Sequence, residues 1–187
     1  VQLIAEMGIE AEVELRLTQI PRMDGSGGRD PGNPHPEGKV PLLEHDGAQV
    51  SESNAVMLYL TDLYPDTALG RPVGHPSRGA YLSWLAWYGN VFEPVHLLHF
   101  AQLSHPALSS SLRDVPAAVA RLQAALAERD WLVDDRLSAA DILVSSTYGW
   151  LPQLMPDDAR IRDWVDRCLS RPAMRRVSAE DKARAGA

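Results

Sequence analysis

Asn33 to Leu60 reads NPHPEGKVPLLEHDGAQVSESNAVMLYL, and these residues decide the fold. Lys39-Val40-Pro41-Leu42-Leu43 is an apolar strand with proline inside it, which belongs at a sheet edge because proline cannot donate to the ladder. Asp46-Gly47 is a strong two-residue hairpin signal. Leu42-Leu43-Glu44 is therefore expected to fold back onto Ala48-Gln49-Val50. After Ser51-Glu52-Ser53, the residues Val56, Tyr59, Leu60 and Leu63 form an i, i+3, i+4, i+7 stripe that predicts a helix. A residue before proline is pushed to extended geometry, so Val40 is expected to offer its N–H and C=O along an open edge where a peptide-like ligand can pair. The N–H groups opening the next helix, near Ser53, make an anion site. Read without a ligand, Ser51 or Ser53 caps that helix and Glu52 favours its dipole.

The GKVP, the hairpin and the ESNAVMLYL that follows resemble the glutathione-binding half of the glutathione transferases. The resemblance implies a thioredoxin-like domain in which Val40 pairs with the cysteinyl part of glutathione and Pro41 is cis. It implies that Ser53 holds the γ-glutamyl carboxylate with its hydroxyl and N–H, that Glu52 lies near the ammonium, and that Lys39 touches a glutathione carboxylate. Glutathione is then a co-substrate.

Upstream, Val1 to Gly8 reads as the back of a helix closed by a C′ glycine. Val13, Leu15 and Leu17 alternate with Glu12, Glu14 and Arg16, the period of a half-buried strand. In the family the domain begins with an earlier strand, whose end carries the Ser, Tyr or Cys that works on the glutathione sulfur. That strand would lie before Val1, so the expectation is an N-terminally incomplete thioredoxin-like domain with its catalytic residue upstream. The group has a definable task. A thiol titrates near ~8.5, and lowering that by about two units requires roughly 2.7 kcal/mol of differential stabilisation. The loop Gly25-Ser26-Gly27-Gly28 stands where the family has a variable second helix. A surface loop is preferred there to a phosphate cradle.

Pro65, Gly70, Pro72, Gly74 and Pro76 punctuate a linker. Beyond it the pattern is helical throughout. The expected organisation is an α+β two-domain chain: residues 1–65 thioredoxin-like, 66–76 linker, and 77–187 an all-α helical bundle lining the second-substrate pocket. Arg78 to Leu103 is dense in apolar and aromatic residues. Asp114 precedes Val115, Val119, Leu122 and Leu126 at helical spacing, and Ile161, Trp164, Val165 and Cys168 form another apolar face. Ser138-Ala139-Ala140-Asp141 has capping-box spacing, with Leu137 and Ile142 at the two staple positions. Ser138 and Asp141 are accordingly structural, and Asp141 is not a catalytic acid. An LSAAD of this kind, followed by Arg171-Pro172, is similar to the helical core of the same family.

Trp84, Tyr88, His96 and His99 are the candidates for the second-substrate pocket. Glu93, His96 and His99 at i, i+3, i+6 also raise a metal site, but Pro94 interrupts the helix and the ligand set is incomplete. No metal is expected. The resemblance is to bacterial cytosolic enzymes, although the register puts Ala86 and Glu93 where the class with a catalytic cysteine carries Asn and His. A net charge of −7 argues against nucleic acid as a partner. No apolar run approaches the ~20 residues that span a bilayer. The lone Cys168 excludes an internal disulfide and suits a reducing, cytoplasmic setting.

The function implied is a homodimeric transferase that conjugates the glutathione thiolate to a small apolar electrophile. Glutathione-dependent isomerisation, dehalogenation or peroxide reduction are the alternatives within the family, and a non-catalytic binding or scaffold protein is the alternative outside enzymology.

Overall fold

The structure, a computed structural model, describes residues 1–22 and 25–185; the last two residues of the expected helical domain lie outside them. Helix α1 (Gln2–Met7) ends at Gly8, whose left-handed backbone (φ 70°) lets its N–H reach the Ala5 carbonyl at 3.2 Å. Strands β1 (Leu42–His45) and β2 (Ala48–Ser51) pair antiparallel, Leu42 opposite Ser51 and His45 opposite Ala48. Asp46 and Gly47 between them both have positive φ, as a tight right-twisted hairpin turn requires. Helix α2 (Ser53–Leu63) follows at once.

Two expectations for this half are corrected. The strand begins at Leu42, so Lys39, Val40 and Pro41 stand outside the ladder. Val13 to Leu17 is not a strand; Leu15 and Leu17 are exposed, and no described strand runs beside them to take up their backbone groups. The Gly25–Gly28 loop closes on itself through an Arg22 N–H to Ser26 carbonyl bond of 2.7 Å.

The second half is helical: α3 (Arg78–Trp87), α4 (Glu93–Phe100), α5 (Pro106–Leu112), α6 (Val115–Ala125), α7 (Ala139–Trp150), α8 (Ala159–Leu169) and α9 (Pro172–Ala185). The apolar and aromatic run from Arg78 folds as α3 and α4, joined by a π turn over Tyr88–Phe92. Pro94 lacks an N–H and crowds the carbonyl one turn back; the wider π turn immediately before it accommodates that demand. Asp114 caps α6, accepting from the Ala117 N–H at 2.9 Å, and Asp158 caps α8, accepting from Ile161 at 3.0 Å.

Helix α7 is central, packed on α8, α2, α3 and α1. Its Ser138–Asp141 pair forms a capping box. Asp141 accepts four hydrogen bonds: from the Ser138 N–H (2.9 Å) and hydroxyl (2.7 Å), the Leu132 N–H (2.8 Å) and the Trp164 indole (3.0 Å). Burial pushes its carboxyl above the usual range, against the pull of those four donors. The core comprises Leu3 and Ile4 of α1, Tyr81 and Leu85 of α3, Phe92, Leu122, Ile142, Val144, Ile161 and Trp164.

The Gly/Pro-rich crossing between the halves is pinned. Arg71, fully buried, reaches Asp134 through two bonds of 2.5 and 2.6 Å and donates to the carbonyls of Ala68, Gly70 and Arg136. The Leu69 carbonyl accepts from the Ala139 N–H at 2.8 Å, tying the crossing to the first turn of α7. Arg78 bridges Asp62 of α2 and the Arg71 carbonyl.

Candidate functional site

The hairpin register decides which residues meet. Because Leu42 lies opposite Ser51, the residue before β1 and the residue after β2 emerge at the same end of the sheet, bringing Val40-Pro41 beside Glu52-Ser53. The Val40–Pro41 peptide is cis, and Val40 is 47% exposed outside any ladder. Its backbone edge is therefore open to a partner.

Glu52 has φ 70° and ψ 128°, a region a side-chain-bearing residue seldom occupies. That backbone turns the chain sharply from β2 into α2, leaving Ser53 as the first helical residue. No side chain caps this helix start. Val56 donates back to the Glu52 carbonyl at 2.9 Å and the Ala55 N–H is taken by Asn54 Oδ1 at 3.0 Å. The N–H groups of Ser53 and Asn54 have no acceptor among the described residues, so the positive end of α2 is presented with its donors available.

Lys39 forms an ion pair with Glu37. This hydrogen bond, with the field of Glu37, raises the Lys39 ammonium above its ordinary value, and Glu52 adds in the same direction. Lys39 is thereby paired with Glu37 and feels the field of Glu52. A zwitterionic peptide matches this arrangement: an extended edge for its backbone, helix donors for a carboxylate, a carboxylate for an ammonium.

The four second-pocket candidates fare differently. Trp84 and Tyr88 are each 7% exposed and His96 1%, whereas His99 is exposed. Trp84 meets Trp87 edge-on at 5.1 Å, and the Arg121 guanidinium lies 4.8 and 4.6 Å from the two rings. The Tyr88 hydroxyl donates to Glu93 at 2.8 Å; burial and that carboxylate hold its phenol above the ordinary range. His96 packs against Phe92 with the ring centres 4.2 Å apart and tilted by 45°, its Nδ1 lies 2.7 Å from the Phe92 carbonyl, and burial lowers its pKa. Packing thus occupies most of three of the four side chains. Glu93, His96 and His99 do not converge, and no group of three potential metal ligands was found among the described residues.

Sequence reasoning missed Asn33, His35 and Arg29, which bond to one another and to the backbone before Val40. Asn-Pro and His-Pro steps are turn signals, but nothing in their spacing announces burial.

A small sheet with a cis-proline before its first strand and a helix start after its second, ahead of a helical half, is a thioredoxin-like half joined to an all-helical one. The comparisons agree. Residues 29–70 match the family model for the glutathione S-transferase N-terminal domain and residues 90–172 that for the C-terminal domain. The chain belongs to the glutathione S-transferase family. It is 25% identical to Protein LigF of a Sphingobium strain, over 79% of this chain and 76% of that protein. It is 28% identical to elongation factor 1-gamma of Artemia salina, over 70% of this chain but only 31% of that longer protein. A solved sphingomonad glutathione S-transferase complexed with glutathione superposes with a TM-score of 0.61 at 29% identity, covering 75% of this chain and 72% of that one.

Proposed function

We propose that the chain is a glutathione transferase, joining the glutathione sulfur to a small apolar electrophile. The observation that carries this is the open Val40 edge set beside the uncapped start of α2 at Glu52 and Ser53. In this reading the cysteinyl backbone of glutathione pairs with Val40. The γ-glutamyl carboxylate lies on the Ser53 hydroxyl and N–H, its ammonium faces Glu52, and Lys39 meets a second carboxylate. The thiolate lone pair forms the new C–S bond as the electrophile's leaving group departs with its electrons, or as an adding electrophile takes up a proton. No residue of this chain is assigned to the sulfur.

The helical half, from about residue 77, supplies the second-substrate side, with the pinned 66–76 segment as the boundary. Val50, Ala55, Leu58, Tyr59 and Leu63, with Asp62 among them, line a largely apolar depression beside α2 that suits a second copy; the protein is read as a cytoplasmic homodimer. No helix among the described residues is long and apolar enough to cross a membrane.

The test is calorimetric titration of glutathione into the protein. Binding in the micromolar to millimolar range is expected. It should weaken about ten- to a hundredfold in Ser53→Ala, the worth of a hydrogen bond to a charged group. Absence of binding sinks the reading. The likeness to elongation factor 1-gamma favours a second one, a transferase-like binding module. That reading predicts no turnover with any electrophile even where glutathione binds.

A further inference from the structure

The segment leading into Val40 is built around buried polar groups, which are costly unless each is paired. Asn33 is 6% exposed and His35 4%. Asn33 Nδ2 donates to the Lys39 carbonyl at 3.0 Å, and its Oδ1 accepts from the His35 N–H at 2.9 Å. His35 Nδ1 accepts from the Glu37 N–H at 3.0 Å, and the His35 carbonyl takes bonds from Arg29 Nη2 at 3.1 Å and the Gly38 N–H at 2.9 Å. Gly38 has φ 66°, and a Cβ there would meet the Arg29 side chain at 2.6 Å. The chain from Arg29 to Lys39 is therefore closed on itself before it reaches the open edge.

The decisive bond is the one to Lys39. The Lys39 C=O and the Val40 N–H are the two ends of one planar peptide unit. Fixing the carbonyl fixes the direction of the amide, and an acceptor already engaged polarises the donor on its far side. We propose that Asn33 is a positioning residue: through the Lys39 carbonyl it sets the Lys39–Val40 peptide plane and so aims the Val40 N–H at the backbone of glutathione. The proposal rests on the glutathione reading of Val40 for its ligand, but the aiming of the amide can be tested without one.

Three variants separate the possibilities. Asn33→Ala removes both bonds. Asn33→Asp keeps the acceptor for the His35 N–H and loses the donor to Lys39. Thr61→Val removes a buried 2.8 Å bond between α2 and Tyr81, a loss of stability remote from the loop. The Val40 backbone order parameter, measured by ¹⁵N relaxation without ligand, should be near about 0.85 in the parent and in Thr61→Val. It should fall below about 0.6 in both Asn33 variants. Glutathione affinity should drop about five- to tenfold in both Asn33 variants and stay unchanged in Thr61→Val. An unchanged Val40 order parameter in Asn33→Asp overturns the proposal whatever glutathione does. Affinity equal to the parent's in Asn33→Asp overturns it as well. If the parent itself binds no glutathione, the function falls, and the order parameters alone decide whether Asn33 aims the amide.

Discussion

At the scale of single residues, Asp141 and Cys168 illustrate how burial sets chemistry. Asp141 accepts from four donors and offers nothing in return. An Asn there turns a donor toward donors. Asp141→Asn is expected to lower the unfolding free energy by about 3 kcal/mol, read as a fall in Tm of about 6–12 °C. A change within about 0.5 kcal/mol in urea unfolding contradicts that. Cys168 is wholly buried, and burial pushes its thiol up to about 12. Iodoacetamide at pH 8 should leave it unmodified in the native protein and label it fully in urea; fast native labelling would place the side chain at the surface. Both positions were legible in sequence, Asp141 through the S-x-x-D spacing and Cys168 through its apolar stripe. Asn33 was not, because a turn residue and a buried hydrogen-bonding residue look alike until the partner carbonyl is known.

At the scale of elements, the hairpin and the helix after it were readable because their signals are local: a two-residue turn, then apolar residues on one helical face. The run Val13 to Leu17 shows the limit of such reasoning. Its alternation is that of a strand, but alternation supplies no partner, and the backbone of an isolated extended segment pairs with nothing. The crossing between the halves reads as a string of breakers, yet Arg71 joins Asp134 across 63 positions of sequence, a distance no local pattern reports. Close packing there is testable. A Cβ at Gly70 would sit 2.6 Å from Thr61 Cβ, so Gly70→Ala should cost about 1–3 kcal/mol, and neutral behaviour in urea would mean that α2 can shift. The Arg71 guanidinium also holds the Asp134 carboxyl down at about 2, chiefly through its hydrogen bonds. A depressed carboxylate contributes stability at pH above its unfolded value near ~4 and loses it as pH falls toward about 2. Asp134→Asn should therefore lack that part of the acid sensitivity, and an unchanged stability profile between pH 4 and 2 would contradict the pairing.

At the scale of the molecule, a small sheet leads into α2, and the helical half packs on α2 through α3 and α7. Val40, Glu52 and Ser53, the residues that sequence reasoning singled out, come together because one short hairpin joins them. The second-substrate side was harder to read, since aromatic density looks the same in a core as in a pocket wall; Trp84, Tyr88 and His96 turned out to be mainly packed. The central claim is that glutathione occupies the Val40–Ser53 surface, and amide chemical-shift mapping tests it most directly. On addition of glutathione, the largest ¹H–¹⁵N shifts are predicted at Val40, Ser53 and Asn54, saturating along one binding curve. Shifts centred elsewhere, or none at millimolar glutathione, would contradict the account.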